Sequence, residues 1–535
     1  MMNRARKALF QRADIRVALY LFICVSSVYS LAMNGDIRGD GYYHYMAALK
    51  LLSGKPPVME SYRYFDVRAP LDKRGERTVQ YGIGWTATLI PVALVYNLLF
   101  GRLPLPPENR LLRMVVSSTT SFISSGTAVL LYLTLRKMGR SRRACVLTAL
   151  LLAFSTMLWT YSRGDLWTEP ATAFAIAAAL LAAVQHRKSG SAISAISAGL
   201  FVAYALTIKI YWVFLIAPFL VLLLVEVPHR RLRTVSAFFL PLVSALVAIC
   251  FYNKLRFGVV VAEGYLGGAL TLEAVGQAIK GQPLLNGLYG LLFSSGKSVF
   301  LFNLPVIMGL FGVGQFWRES RQPAVFSAIL LGGYLLFFAS RPTWGGGYVW
   351  GPRHLTPLLP VMMLPLAHLI DASDSGSRRV RIWLCVIFTA GIVMQIPNLF
   401  IYSRDYTTPM LLDGWLHWEE IYFVPNSSPI VRNWVIFKDA LVSLFTGEPL
   451  FFYPVRIMRG NVEVLQPFYA PDFADSWDSW INIVRRAGYM ELVAMRAAVF
   501  TIVGLLACAA ILAGYGIRKN LRESGGDELD QLSSS

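Results

Sequence analysis

The chain has 535 residues, 55% of them hydrophobic and 15% charged, with a mean hydropathy of +0.51. Soluble proteins carry about 25% charged residues, so a soluble chain this apolar could not cover its own surface, and disorder, collagen and secreted disulfide scaffolds are excluded as well. The formal charge of +19 does not point to nucleic acid, because many basic residues cluster in short segments between apolar runs, the pattern of membrane orientation and anionic lipid. What remains is an all-α polytopic membrane protein.

The first element follows Arg4, Arg6, Lys7, Arg12 and Arg16 and runs apolar over 17–33. It is longer than the apolar core of a signal peptide and reads as an uncleaved anchor. Directly after it comes Asn34-Gly35-Asp36-Ile37-Arg38-Gly39-Asp40-Gly41-Tyr42-Tyr43-His44-Tyr45, then the apolar run 46–49. This spacing predicts a short interfacial helix with Asp40 near its start, where a carboxylate is favoured by the helix dipole. Such an aspartate serves equally well as a cap, so Asp40 and Asp36 are both candidates for chemistry.

Residues 83–100 form an apolar element containing Pro91. Spans are expected at 114–135, 144–161, 169–185, 192–208, 212–226 and 235–252, and again at 298–316, 324–339, 354–370, 380–402 and 491–514. The turn Arg163-Gly164-Asp165-Leu166-Trp167-Thr168-Glu169-Pro170 joins two of them. Asp165 and Glu169 are candidate caps there, or acidic groups facing the same cavity as Asp40. Lys209 lies between two short apolar stretches beside Tyr211 and Trp212, where snorkelling accounts for it.

Two later motifs combine glycine with a cation. Ser294-Ser295-Gly296-Lys297-Ser298 opens one span, and Trp344-Gly345-Gly346-Gly347-Tyr348-Val349-Trp350-Gly351-Pro352-Arg353-His354 opens another. Cations and free backbone N–H groups at a helix N-terminus favour phosphate, although both residues would also serve as interfacial anchors. The first motif is not a nucleotide loop, since Leu291 stands where that pattern requires glycine.

Charge decides the topology. If 83–100 does not cross, the basic clusters of the N-terminal tail, 136–143, 187–188, 230–233, 318–321, 378–381 and 518–522 share one side. The positive-inside bias then gives about twelve spans with both termini cytoplasmic. Most of the length outside the spans falls on the outer face, including a first loop at 34–113 and a last one at 403–490. No internal repeat and no run of broken helices of the kind secondary transporters show is visible. The five cysteines all lie in apolar stretches without ligand spacing, so no disulfide is expected. No tight cluster of His, Asp and Glu suggests a metal, and no cofactor is identified.

Taken together, Asp40-Gly41-Tyr42-Tyr43 with Tyr45, Tyr81-Gly82-Ile83-Gly84 with Pro91, Gly290 through Lys297, and Trp344 through Arg353 resemble the GT-C superfamily. Its members are integral membrane glycosyltransferases that use polyprenyl-phosphate-linked sugars, and the similarity is to a bacterial branch near protein O-mannosyltransferases and aminoarabinose transferases. It spans roughly residues 17–370. The resemblance implies a first-loop aspartate as general base, matched here by Asp40 with Asp36 as competitor, although the family often has Asp-Glu where this chain has Asp40-Gly41. It also implies cations for the donor phosphate (Lys297, Arg353 and Lys209) and substrate contacts from Tyr43, Asp165, Glu169, Trp344 and His354.

The expected organisation is a catalytic membrane region over 1–402, an outer region over 403–490, and a last span with its tail over 491–535. The expected activity is sugar transfer from a polyprenyl-phosphate donor to a glycan, lipid or protein acceptor, on the extracytoplasmic face of a bacterial plasma membrane. A transporter or flippase of lipid-linked sugars and a non-catalytic assembly subunit are the rival classes. A transporter predicts charges within the spans, whereas most charges here lie in loops.

Overall fold

A computed structural model describes residues 2–58, 78–101, 105–225, 231–263, 268–269, 283–347, 349–373, 378–401, 417–446, 450–459, 462–470, 479–486 and 493–532. The middle of the first outer loop and parts of the last one, both expected to be extended outer segments, therefore lie outside the described residues. Among the described residues the architecture is helical apart from two small antiparallel pairs, Ala262–Glu263 with Gly268–Ala269 and Leu450–Arg459 with Val462–Ala470. An all-α class is correct for the body of the protein; these hairpins are the departure from it.

The first ten helices are α1 (Met2–Leu31), α2 (Asp40–Leu52), α3 (Ile83–Phe100), α4 (Arg110–Lys137), α5 (Arg142–Phe154), α6 (Met157–Tyr161), α7 (Thr168–Ser189), α8 (Ala192–Ile208), α9 (Ile216–Leu224) and α10 (Arg231–Phe257). Helix α7 lies at the centre, packed between α4 and α8. Its buried alanines at 171, 173, 175, 177, 178, 179 and 183 let neighbouring backbones approach closely, as small residues do in membrane bundles. Helix α4 turns buried hydroxyls toward this core. Ser125, Thr127 and Thr134 satisfy theirs on the carbonyls of Ser121, Ile123 and Leu130, four residues back, so the polar groups cost little there. The last long helix, Val493–Leu532, packs along α1.

Among the described residues, nine helices are long and apolar enough to cross a membrane: Arg12–Leu31, Ile83–Phe100, Arg110–Lys137, Thr168–Ser189, Arg231–Phe257, Arg321–Ala339, Arg353–Ala372, Arg378–Phe400 and Val493–Arg522. Ala192–Ile208 and Ile210–Leu224 are shorter apolar helices at expected spans. Three spans expected to be continuous are interrupted instead. The span at 144–161 breaks between α5 and α6, where Thr156 caps α6 and Asn303 accepts the Met157 N–H at 2.9 Å. The span at 298–316 divides into Val299–Phe302, Leu304–Phe311 and Val313–Glu319, with Pro305 after the first break. The third, over Arg353–Ser373, carries Pro357, Pro360 and Pro365, each lacking the N–H a helix needs.

Helix α3 has the length of a span but contacts one face of the bundle at both ends. The start of α4, the start of α7 and the end of α8 share that face: Thr120 donates to the Ser162 carbonyl before α7, and Lys209 at the end of α8 reaches Glu169 in the first turn of α7. Near the start of α3, Gly82 and Gly84 pack against Thr207 and Ile208 at the end of α8, and Trp85 donates its indole N–H to the Leu166 carbonyl at 2.7 Å. Three turns later Tyr96 donates to Asn109, the N-cap of α4, at 3.2 Å. A crossing helix would have carried Tyr96 some 16 Å deeper than Trp85. The contacts agree with an element that lies along the face.

Candidate functional site

The site is built on that same face, from the start of α2, the turn before α7, the end of α8 and the loop before Arg353. Helix α2 begins after Gly39, which takes a positive φ of 55°, and this sets Asp40 in the first turn, where the dipole favours its charge. Gly41 follows because there is no room for a side chain: a Cβ there would overlap the Asp165 carbonyl oxygen. The Asp-Gly pair, where the resembling family often has Asp-Glu, thus has a steric cause.

Four residues on, His44 is fully buried, with its Nδ1 2.9 Å from Thr86 Oγ1 and its ring 4.9 Å from that of Tyr81. Burial pushes its pKa down to about 3, opposed by the Asp40 charge and helped by Lys209 and Arg256. His44 is neutral.

The turn before α7 is held by buried charge. Asp165 accepts from Asn34 at 2.6 Å and from Arg163 at 3.3 Å, and Arg163 also donates to the Asn398 carbonyl at 2.6 Å. Gly164 and Leu166 both take positive φ, 120° and 54°. For leucine this is a strained conformation, fixed by the Trp85 hydrogen bond to its carbonyl. Just inside α7, Glu169 accepts from Lys209 at 3.2 Å, with both side chains almost wholly buried. Asp165, Glu169 and Lys209 are therefore brought close to Asp40 but are committed to internal ion pairs.

The loop at 341–352 carries positive φ at Gly346, Gly347 and Gly351. Its shape is set from behind by Lys297, which has no solvent exposure. The Lys297 ammonium donates to the carbonyls of Gly347 at 2.6 Å, Val349 at 2.7 Å and Gly351 at 3.1 Å. Trp350 donates to Gln395 at 3.0 Å and accepts at its carbonyl from Tyr161 at 2.7 Å. Trp344 packs on Gly290, where a Cβ would strike its ring. Lys297 was expected at the donor phosphate; its ammonium is instead occupied by this loop.

The loop ends at Arg353, whose Nη1 lies 3.3 Å from Asp40 Oδ2. Its guanidinium stands 5.5 Å from the centroid of the Trp167 ring. Both members of this pair keep about a quarter of their side-chain exposure (21% and 27%), whereas those of Arg163–Asp165 and Lys209–Glu169 keep 6% or less. His354 is buried and stacked on Phe338 at 4.4 Å. Asp36 accepts from Arg38 and Arg113, both at 3.2 Å, and from the Ile37 N–H. Tyr43, in the first turn of α2, packs with its ring 5.8 Å from that of Tyr81.

Three residues at the site escaped the sequence reading. Arg256 donates to the carbonyls of Val79 and Tyr81 at 2.8 and 2.6 Å and stacks on Tyr252 at 4.3 Å, pinning the segment before α3 to α10. An arginine at the outer end of a span, against the charge bias, was the available signal. Trp167 supports Arg353, and its position after Asp165 was the hint. Tyr422 comes from the short helix Trp418–Phe423, in a region without any motif. It packs 5.0 Å from Trp344 and accepts the Gly296 N–H at 3.0 Å. Among the described residues no group of three His, Cys, Asp or Glu is placed to hold a metal.

A family model described as dolichyl-phosphate-mannose-protein mannosyltransferase matches residues 114–261, less than half of the chain. No curated protein sequence matches. Among solved structures, ArnT from Cupriavidus metallidurans bound to undecaprenyl phosphate is similar with a TM-score of 0.47 at 15% identity, covering 97% of this chain and 78% of that one. The oligosaccharyltransferase of Archaeoglobus fulgidus in its apo form is similar with a TM-score of 0.46 at 12% identity, covering 86% of this chain and 61% of that one. With a mannosyltransferase family model matching α4 to α10, the chain is similar to the GT-C membrane glycosyltransferases that its motifs resemble.

Proposed function

We infer that the protein is an integral membrane glycosyltransferase that moves a sugar from a polyprenyl-phosphate donor to an acceptor hydroxyl on the extracytoplasmic face. The acceptor belongs to a glycan, a lipid or a protein. The observation that carries this reading is the partly exposed pair of Asp40 and Arg353, drawn together from positions 313 residues apart. An accessible carboxylate beside an accessible guanidinium suits a reaction in which one group loses a proton and another gains negative charge. The acceptor oxygen attacks the anomeric carbon, its proton passes to Asp40, and the bond from that carbon to the phosphate oxygen breaks. The electron pair leaves with the lipid phosphate, whose growing charge Arg353 stabilises.

The description of the matching family model names a dolichyl-phosphate-linked sugar, which is the donor class this chemistry asks for. A lipid-borne donor also agrees with a site at the ends of apolar helices. The buried pairs Lys209–Glu169 and Arg163–Asp165 then serve as the frame that fixes α7, α8 and the turn around the two working groups. Lys297 acts on donor binding through the loop that bears Arg353. Native mass spectrometry of the protein extracted from its own membrane tests the reading: co-purifying polyprenyl-phosphate sugar supports it. Absence of any polyprenyl phosphate, together with no binding of added polyprenyl phosphate, rejects it.

A further inference from the structure

The Asp40–Arg353 pair contains a conflict that bears on how the proposed reaction is ordered. A carboxylate holding a guanidinium is a weaker base than a free one, because the partner favours its charged form. A guanidinium holding a carboxylate has less of its donor fork available for a phosphate. While the pair is closed, neither group performs the role assigned to it.

Resting on the donor reading above, we propose that the donor phosphate takes Arg353 away from Asp40, so that the base is released only once the donor is bound. Three observations carry this. The pair is more exposed than the two buried pairs beside it, with 21% and 27% side-chain exposure against at most 6% in those two. A ligand reaches it without dismantling the buried frame. Next, the two backbones that carry the pair are fixed. Gly41 locks the start of α2 against the Asp165 carbonyl, and the Lys297 ammonium ties down three carbonyls of the loop before Arg353. Motion is thereby confined to the side-chain ends. Finally, Arg353 has a surface on which to move. Its guanidinium faces the Trp167 ring at 5.5 Å, and its stem passes Gly346, where a Cβ would lie 2.9 Å from its Cγ and 3.2 Å from its Nε. The ring supports the cation through its face whether the fork points to carboxylate or phosphate.

The consequence is an order of events. Donor binds first, Arg353 turns to the phosphate, and Asp40, relieved of that cation, takes the acceptor proton. A base kept paired in the absence of donor does not activate water beside a reactive glycosyl phosphate that is only partly seated.

The test is a double-mutant cycle on binding of undecaprenyl phosphate to the full-length protein in detergent, with thermal unfolding of each variant as the control for folding. Removing the competitor with Asp40→Asn should tighten binding about three- to tenfold, because Asp40 no longer competes with the phosphate for Arg353. In an Arg353→Gln background the same Asp40→Asn change should alter affinity less than about twofold. An equal gain in both backgrounds overturns the exchange, since it would report plain repulsion between Asp40 and the phosphate. No gain in either background, with the wild type still binding, also overturns it and leaves the donor reading intact. If neither wild type nor any variant binds undecaprenyl phosphate, the donor reading and the exchange fall together.

Discussion

Gly41 sits so close to Asp165 that a Cβ at position 41 would overlap the Asp165 carbonyl oxygen. The neighbour of the proposed base is thus packed backbone to backbone against the turn before α7. A methyl group cannot be accommodated by a flexible side chain there, because the obstacle is main chain. Gly41→Ala is expected to push the first turn of α2 outward and lower transfer more than tenfold, with a loss of stability of about 1–3 kcal/mol. Transfer assays and thermal unfolding on the same preparation measure both. Gly332, in the helix Arg321–Ala339 with open space around it, is the control position for a harmless change.

Lys297 gives the second expectation. Lys297→Met keeps the length of the side chain but removes the donor that the carbonyls of Gly347, Val349 and Gly351 share, a cost of about 1 kcal/mol or more. The variant should unfold at lower temperature and bind donor more weakly, the two effects appearing together because both pass through the loop. Lys297→Arg should repair neither fully, since a planar fork does not match three converging carbonyls. Weakened donor binding with unchanged thermal stability would instead mean direct contact with the phosphate.

His44 predicts a pH dependence of stability. Its pKa in the folded protein lies near 3, against 6.5 when exposed, so below pH 6.5 the unfolded chain takes up a proton that the folded one refuses. Stability contributed by the neutral imidazole is complete above pH 6.5 and is lost as pH falls toward 3, by roughly 1 kcal/mol per pH unit. Unfolding temperatures of wild type and His44→Asn across pH 4–7.5 check this: the variant should show a shallower fall. Parallel curves would remove His44 as the cause.

The position of α3 is open to labelling. Single cysteines at Ala87 and Leu98, both exposed positions of α3, should react with a membrane-impermeant thiol reagent from the same side, the side at which the site lies. Reaction from opposite sides would make α3 a crossing helix and reverse every charge assignment that follows it.

Much of the fold was legible because apolar length and charge bias are strong signals. The runs at 324–339 and 380–402 appear as the helices Arg321–Ala339 and Arg378–Phe400, and twelve spans remain consistent with nine long helices plus shorter apolar ones. The interruptions at Ser155–Thr156 and Asn303 were not legible, since each is held by a partner far away in the chain, Asn303 for the first and Gln395 packed on the Phe302 carbonyl beside the second. At the site, composition singled out Asp40, Arg353 and Lys297 but could not divide their labour. Lys297 and Arg353 look alike in sequence, each a cation after glycines at a helix start. Only the fold shows that one ammonium is enclosed by carbonyls while the other cation reaches a carboxylate. Tyr422 carried no signal at all, because its place depends on how the last outer region folds back onto Gly296 and Trp344.

The central claim is that Asp40 takes the acceptor proton, and it is tested most directly by comparing Asp40→Asn with Asp36→Asn for transfer of labelled sugar from polyprenyl-phosphate sugars to the membrane fraction of cells carrying only the variant protein. Asp36 is held by Arg38 and Arg113, so it is a neighbouring carboxylate of the same loop with a purely structural set of partners. The account predicts that Asp40→Asn lowers transfer by a factor of about 10² to 10⁴ while undecaprenyl phosphate still binds, and that Asp36→Asn retains most of the activity. Transfer that survives in Asp40→Asn and is lost in Asp36→Asn would contradict it.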